Sequence, residues 1–152
     1  MDVARSQTRP IPMPDTACKA REPRIIVAED DQELRELIAS ALRNDGYEVV
    51  EARDGVELLG YLEAAAVAAG RSNGSSQVAA VVSDVRMPSL TGLDVLAVLR
   101  CAYWPVPVIL ITAFGDEDTH AEARELGVNA VFDKPFDLED LCAAVREAAP
   151  RW

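Results

Sequence analysis

The sequence predicts an α/β fold: a doubly wound, five-stranded parallel sheet with helices on both faces. Three observations carry this expectation. Short Val- and Ile-rich runs alternate strictly with segments of helical periodicity. The runs are apolar on both sides, as in strands covered on both faces. Right-handed crossovers would then carry the helices over the sheet. At 152 residues the chain suits one domain, which buries roughly two thirds of its unfolded surface.

Residues 1–23 hold four prolines, no apolar periodicity and a slight positive balance, and are expected to form a flexible tail ahead of a domain over 24–149, with 150–152 as the C-terminal end. RIIVA (24–28) reads as the first strand. The first helix follows from Leu34, Leu37, Ile38, Ala41 and Leu42 at i, i+3, i+4, i+7 and i+8, with Asp31 as N-cap and Asn44-Asp45-Gly46 as its stop. YEVVEA (47–52) is the second strand. Asp54 and Glu57 resemble a capping box opening a second helix through Leu58, Leu59 and Leu62 into AAAVAA, which ends in the loop GRSNGSS.

VAAVVS (78–83), VPVILIT (106–112) and NAVFD (129–133) read as the remaining strands. Leu93, Leu96, Ala97 and Leu99 make a third helix after Gly92. A fourth spans Asp116 to Leu126 and stops at Gly127, and a fifth starts near Asp137 with Leu138, Leu141 and Val145 inward. His120, the single histidine, lies on a polar stretch and reads as a solvated helix residue. Tyr103 and Trp104 are expected to cap the underside of the sheet, and loop 70–77 to be a tolerated surface excursion.

Fifteen basic against 26 acidic residues give a net charge of −11. That balance argues against a surface built to wrap nucleic acid or lie on an anionic membrane. Cys18, Cys101 and Cys142 are odd in number and far apart, with no CxxC pair, so neither a disulfide framework nor a zinc site is indicated. No segment approaches the ~20 apolar residues of a membrane span, and the N-terminus has charges and prolines where a signal peptide needs an apolar core. A soluble protein of the reduced cytoplasm is expected.

In doubly wound sheets ligands bind beyond the carboxyl ends of the strands, where the strand order reverses. Strand one ends in Glu29-Asp30-Asp31, strand three in Asp84, strand four in Thr112 and strand five in Lys134-Pro135. With strand order 2-1-3-4-5, Asp30 lies beside Asp84 at the switch point. Crowded carboxylates repel unless a cation sits among them. An oxygen-only set leaving room for water and phosphoryl oxygens suits Mg²⁺. Thr112 offers a hydroxyl and Lys134 an ammonium to a negative group held there, which matches the recurring parts of phosphoryl transfer with a carboxylate as nucleophile.

VAEDD, VVSDVRMP, VILITA and FDKPFD, in this order and spacing, resemble the receiver domain of bacterial two-component response regulators over residues 24 to about 149. The resemblance implies the flavodoxin-like strand order and an Asp84 that accepts a phosphoryl group from a phosphohistidine on a sensor histidine kinase or phosphotransfer protein. It implies that Asp30 and Asp84 ligate Mg²⁺ with the backbone carbonyl of Arg86, and that Glu29 fills an outer acidic position through water. Lys134 would pair with the carboxylate and then the phosphoryl oxygens, the Thr112 hydroxyl would swing toward them, and the Lys134–Pro135 bond would be cis.

Arg86 and Phe114 match positions that flank the phosphoryl group, where they are expected to shield it from water. Val131 departs from the family, which usually has Tyr or Phe three residues before the lysine. Strand shifts would still carry the signal to the surface of helix four, strand five and helix five, where a downstream protein partner would bind. Because the chain ends at AAPRW after helix five, a stand-alone receiver is expected, a switch rather than a turnover enzyme. Two other classes compete. A haloacid-dehalogenase-type hydrolase wants DxDx(T/V) after strand one, which EDDQE does not supply, and a pseudo-receiver would serve as a non-phosphorylated docking module.

Overall fold

The computed structural model describes residues 23–72, 78–113 and 117–150. Residues 1–22 of the expected tail, the loop residues 73–77, Phe114 and the expected first residue of helix four, Asp116, lie outside the described residues, while Pro23 O accepts from Glu48 N at 2.9 Å. Five strands form one parallel sheet in the order β2-β1-β3-β4-β5: β1 (Arg24–Ala28), β2 (Glu48–Ala52), β3 (Val78–Asp84), β4 (Val108–Ala113) and β5 (Ala130–Lys134). The helices are α1 (Gln32–Asn44), α2 (Gly55–Ser72), α3 (Gly92–Cys101), α4 (Glu117–Glu125) and α5 (Leu138–Ala148). β4 starts two residues later than the sequence suggested. Pro107 has no amide to donate, and its carbonyl accepts from Val81 N at 2.9 Å instead.

Alternation along the strands sends successive side chains to opposite faces. Ile25, Val27, Ala80, Val82, Ile109 and Ile111 meet α1 and α5 through Ile38, Leu42, Leu141 and Val145. Ile26, Ala28, Val81 and Leu110 meet α2 and α3 through Leu58, Leu62, Val95, Leu96 and Leu99, with Ala123 of α4 joining them. A core on each face of the sheet is what the apolar runs required. Trp104 packs against the second core while Tyr103, at φ 57°, is 93% exposed, so only one of the pair caps the sheet.

The helix starts follow local chemistry. Asp31 caps α1, accepting from Glu33 N at 3.0 Å and Leu34 N at 3.3 Å. Asp54 accepts from Glu57 N at 2.8 Å as expected, but the Glu57 carboxylate reaches Arg53 N rather than the Asp54 amide, so the capping box is incomplete. A full one opens α3, where Thr91 and Asp94 exchange side-chain to backbone bonds.

Of the stripe expected for α1, Ile38 and Leu42 are buried and Leu34 and Ala41 pack against the same core, while Leu37 departs from it. Ile38, Ala39, Leu42 and Arg35 are buried, whereas Leu37 is 54% exposed. The helix is turned toward β2, where Glu51 receives the Arg35 guanidinium. His120 is also not simply solvated: its Nε2 lies 2.7 Å from Asp133 Oδ1, joining α4 to β5. At the far end of α3, Arg100 donates to the carbonyls of Trp104, Val106, Leu126 and Gly127 at 2.9–3.2 Å, fastening the turn after α4 to the turn after α3.

Candidate functional site

The carboxyl ends of β1, β3, β4 and β5 converge on one edge of the sheet. Glu29 continues β1 by donating its amide to Ala52 O at 3.1 Å, and its side chain is turned inward, 1% exposed. Asp30 follows on the exposed turn. Asp84, the last residue of β3, is 3% exposed. Carboxylate oxygens of Glu29, Asp30 and Asp84 all lie within 4.8 Å of one another. Lys134, the last residue of β5, brings Nζ to 2.8 Å from Asp84 Oδ2 and 3.5 Å from Glu29 Oε1. The peptide bond between Lys134 and Pro135 is cis.

The other Asp84 oxygen, Oδ1, accepts from Arg86 N at 3.1 Å, while the Arg86 side chain is exposed. Thr112 lies at the next strand tip, paired with Asp133 in the β4–β5 register one step before Ala113 pairs with Lys134. It is 1% exposed, and its hydroxyl has no hydrogen-bond partner. Of the residues singled out in the sequence, Glu29, Asp30, Asp84 and Lys134 are thus brought into one cluster. Thr112 stands at its rim, Arg86 contributes its backbone, and Val131 is half-buried against the core of the α2 and α3 face.

Burial dominates the electrostatics. It raises the Glu29 carboxyl to about 8 from an ordinary 4.5, with the nearby charge of Asp84 adding, while the Asp31 amide and Lys134 oppose. Burial works against the Lys134 ammonium, but the hydrogen bond and charge of Asp84, with Glu29 behind it, outweigh that and leave its pKa raised. Glu29 Oε1 has no hydrogen-bond partner. A buried acceptor met only by the Lys134 ammonium at 3.5 Å, in a group of three carboxylates with no nitrogen or sulfur ligand, fits a hard divalent cation.

Close packing sets the position of Asp84. A Cβ on Gly92 would lie 2.6 Å from Asp84 O and 2.9 Å from Ser83 Oγ, so the first residue of α3 must be glycine for the helix to approach the strand end. Ser83 Oγ donates to the same Asp84 carbonyl at 2.9 Å. Beside Lys134, the exposed Leu37 joins Leu34, Pro135, Phe136 and Leu138 around an open apolar groove of about 490 Å³.

Sequence reasoning missed Arg35. Its Nη1 donates to Glu29 O at 2.9 Å and its Nε to Glu51 Oε1 at 3.2 Å, with the residue 8% exposed. The signal was present: Arg35, Ile38, Ala39 and Leu42 stand at i, i+3, i+4 and i+7, which puts a cation on the inward stripe once the helix phase is set correctly.

Comparison with known proteins agrees with this geometry. Residues 25–146 match the profile of the response regulator receiver domain. The transcriptional regulatory protein PdtaR of Mycobacterium tuberculosis (strain ATCC 25618 / H37Rv) is 34% identical over 144 residues, covering 91% of this chain and 63% of that protein. The response regulator MprA of Mycobacterium avium (strain 104) is 34% identical over 123 residues, 81% of this chain and 49% of that protein. The chain therefore spans less than two thirds of these relatives.

The receiver domain of the Francisella response regulator 1452 superposes with a TM-score of 0.68 at 26% identity, over 84% of this chain and 97% of that one. A response regulator receiver domain protein of Clostridium thermocellum gives 0.68 at 28% identity, over 84% and 94%. With its strand order, its acidic strand tips and these relatives, the chain belongs to the response regulator receiver domain family of two-component signalling.

Proposed function

We propose that this domain is a phosphorylation-controlled switch in which Asp84 accepts a phosphoryl group from a phosphohistidine of a sensor histidine kinase or a phosphotransfer protein. The observation that carries the reading is the Asp84 carboxylate itself, buried at a strand tip and gripped on both oxygens, by Lys134 Nζ at 2.8 Å and by the Arg86 amide at 3.1 Å. A nucleophile so fixed meets phosphorus in one orientation. As a carboxylate oxygen bonds to phosphorus, the nitrogen–phosphorus bond of the donor breaks and the imidazole leaves with the electron pair.

Lys134 balances the charge carried by the phosphoryl oxygens. The unpartnered Thr112 hydroxyl is available to donate to one of them. Asp30, Asp84 and the Arg86 carbonyl would hold Mg²⁺, with Glu29 reached through water, and the cation would neutralise the transferring group. Burial makes Glu29 prefer its proton, so filling the site exchanges a proton for the cation. The domain assists its own phosphorylation and dephosphorylation without turning over a separate substrate.

Its partners are then the phosphodonor and a downstream protein that reads the surface of α4, β5 and α5. A net charge of −11 disfavours direct contact with nucleic acid. No helix among the described residues is long and apolar enough to cross a membrane, which agrees with work in the cytoplasm beside such donors.

The test is incubation with acetyl phosphate and Mg²⁺, read by intact mass. One added phosphoryl group that disappears in Asp84→Asn is the expected result. No adduct under any condition would favour a docking module, and sustained turnover of a phosphate ester would favour a hydrolase.

A further inference from the structure

We infer that Arg35 is a positioning residue for the metal site, acting through the main chain of Glu29; the inference rests on the Mg²⁺-dependent reading of that site. The guanidinium is held from both ends. Nε pairs with Glu51 Oε1 at 3.2 Å, and the second Glu51 oxygen is occupied by Arg43 Nη1 at 3.2 Å. Arg43 is itself fixed through Nη2 to Val49 O at 3.0 Å. The β2 strand thus sets Glu51, Glu51 sets Arg35, and Arg35 Nη1 sets the Glu29 carbonyl at 2.9 Å.

The peptide units around Glu29 are then pinned on two sides, its amide by Ala52 O of β2 and its carbonyl by α1. The Glu29 carboxylate closes the turn by accepting from Asp31 N at 3.1 Å. These contacts fix where the Glu29 and Asp30 side chains leave the chain, and therefore how near they come to Asp84.

Packing alone does not call for an arginine here. Its neighbours on the stripe are Ile38, Ala39 and Leu42, and well-packed apolar residues in place of a whole buried ion pair are often neutral for stability or better. What the guanidinium adds is direction, through two donors in a rigid fork that a lysine cannot copy.

Charge and position predict opposite signs, which makes the inference decidable. Arg35 is a cation, so by Coulomb repulsion alone its removal would tighten Mg²⁺ binding. If its work is to aim the β1–α1 turn, removal weakens it, by about tenfold or more as is usual for residues that orient metal ligands. The experiment is calorimetric titration of the metal-free protein with MgCl2. In parallel, acetyl phosphate labelling is followed by intact mass across Mg²⁺ concentrations. The proteins are wild type, Arg35→Met, Arg35→Lys and Glu51→Gln, each first shown to unfold cooperatively in urea.

The expected result is a higher Mg²⁺ dissociation constant in Arg35→Met, partial recovery in Arg35→Lys, a smaller loss in Glu51→Gln, and a labelling rate at saturating Mg²⁺ close to wild type. Unchanged or tighter Mg²⁺ binding in Arg35→Met, or a lower saturating rate at an unchanged Mg²⁺ constant, overturns the inference. Should Arg35→Met not fold, Arg35→Lys decides it, because it keeps the charge and loses the fork: a Mg²⁺ constant equal to wild type overturns the inference. A wild-type protein that binds no Mg²⁺, or an Asp84→Asn variant that binds it equally well, instead sinks the underlying reading of the site.

Discussion

Glu29→Gln gives the sharpest test of the electrostatics described above. In the metal-free fold, burial holds the Glu29 carboxyl at about 8, against 4.5 for an ordinary glutamate. Between those values the folded state keeps a proton that the unfolded chain has released. The unfolded state then binds fewer protons, so stability falls as pH rises. This contribution is fully present below pH 4.5 and is lost as pH passes through 8. The slope is about 1.4 kcal/mol per pH unit for one proton, or roughly 3 kcal/mol between about pH 5.5 and 7.5.

Glutamine fills the same space and does not titrate, so the variant removes this proton and leaves the ionisable groups outside the cluster as they were. The assay is urea unfolding with EDTA present, wild type and variant, at several pH values. Wild type should lose about 2–3 kcal/mol more than Glu29→Gln across that range. Added Mg²⁺ should flatten the wild-type profile, because the cation takes the place of the proton. Parallel profiles for the two proteins would refute the claim that this carboxyl holds a proton in the fold when EDTA is present.

Gly92→Ala puts a methyl group 2.6 Å from Asp84 O. It should cost about 1–3 kcal/mol in urea unfolding and slow labelling of Asp84 by acetyl phosphate, as read by intact mass. Arg100→Met removes the donors to four carbonyls. A loss of about 2–4 kcal/mol in urea unfolding is expected, since the acceptors are left without their charged partner.

Much of the fold was legible because the central strands β1, β3 and β4 are covered on both faces, and continuous β-branched runs such as RIIVA and VILIT satisfy that. Asp31 was readable as a cap because its short carboxylate answers the free amides at the start of α1. The acidic tips could be gathered into one place because a parallel sheet puts every carboxyl end on the same edge. Arg35 and Leu37 were misassigned together. An amphipathic stripe fixes helix phase only to within a residue or so, and it carries no sign of the pairing between Arg35 and Glu51, 16 positions away.

The contact between His120 and Asp133 was equally invisible, because it depends on where α4 docks against β5. Arg71 and Ser72 end α2, although their polar side chains suggested a loop. Local polarity does not stop a helix whose preceding turns are alanine-rich.

The way α4 is attached has its own consequence. Only Thr119 and Ala123 of this helix are buried, and a half-exposed hydrogen bond between His120 and Asp133 links it to β5. Contacts of that kind contribute about 1 kcal/mol or less, and two small side chains add little apolar area. Beyond its far end, the turn at Leu126 and Gly127 is gripped by Arg100. The helix is therefore stitched most firmly along one hem, where buried Ala123 and the turn gripped by Arg100 hold its C-terminal half against the sheet.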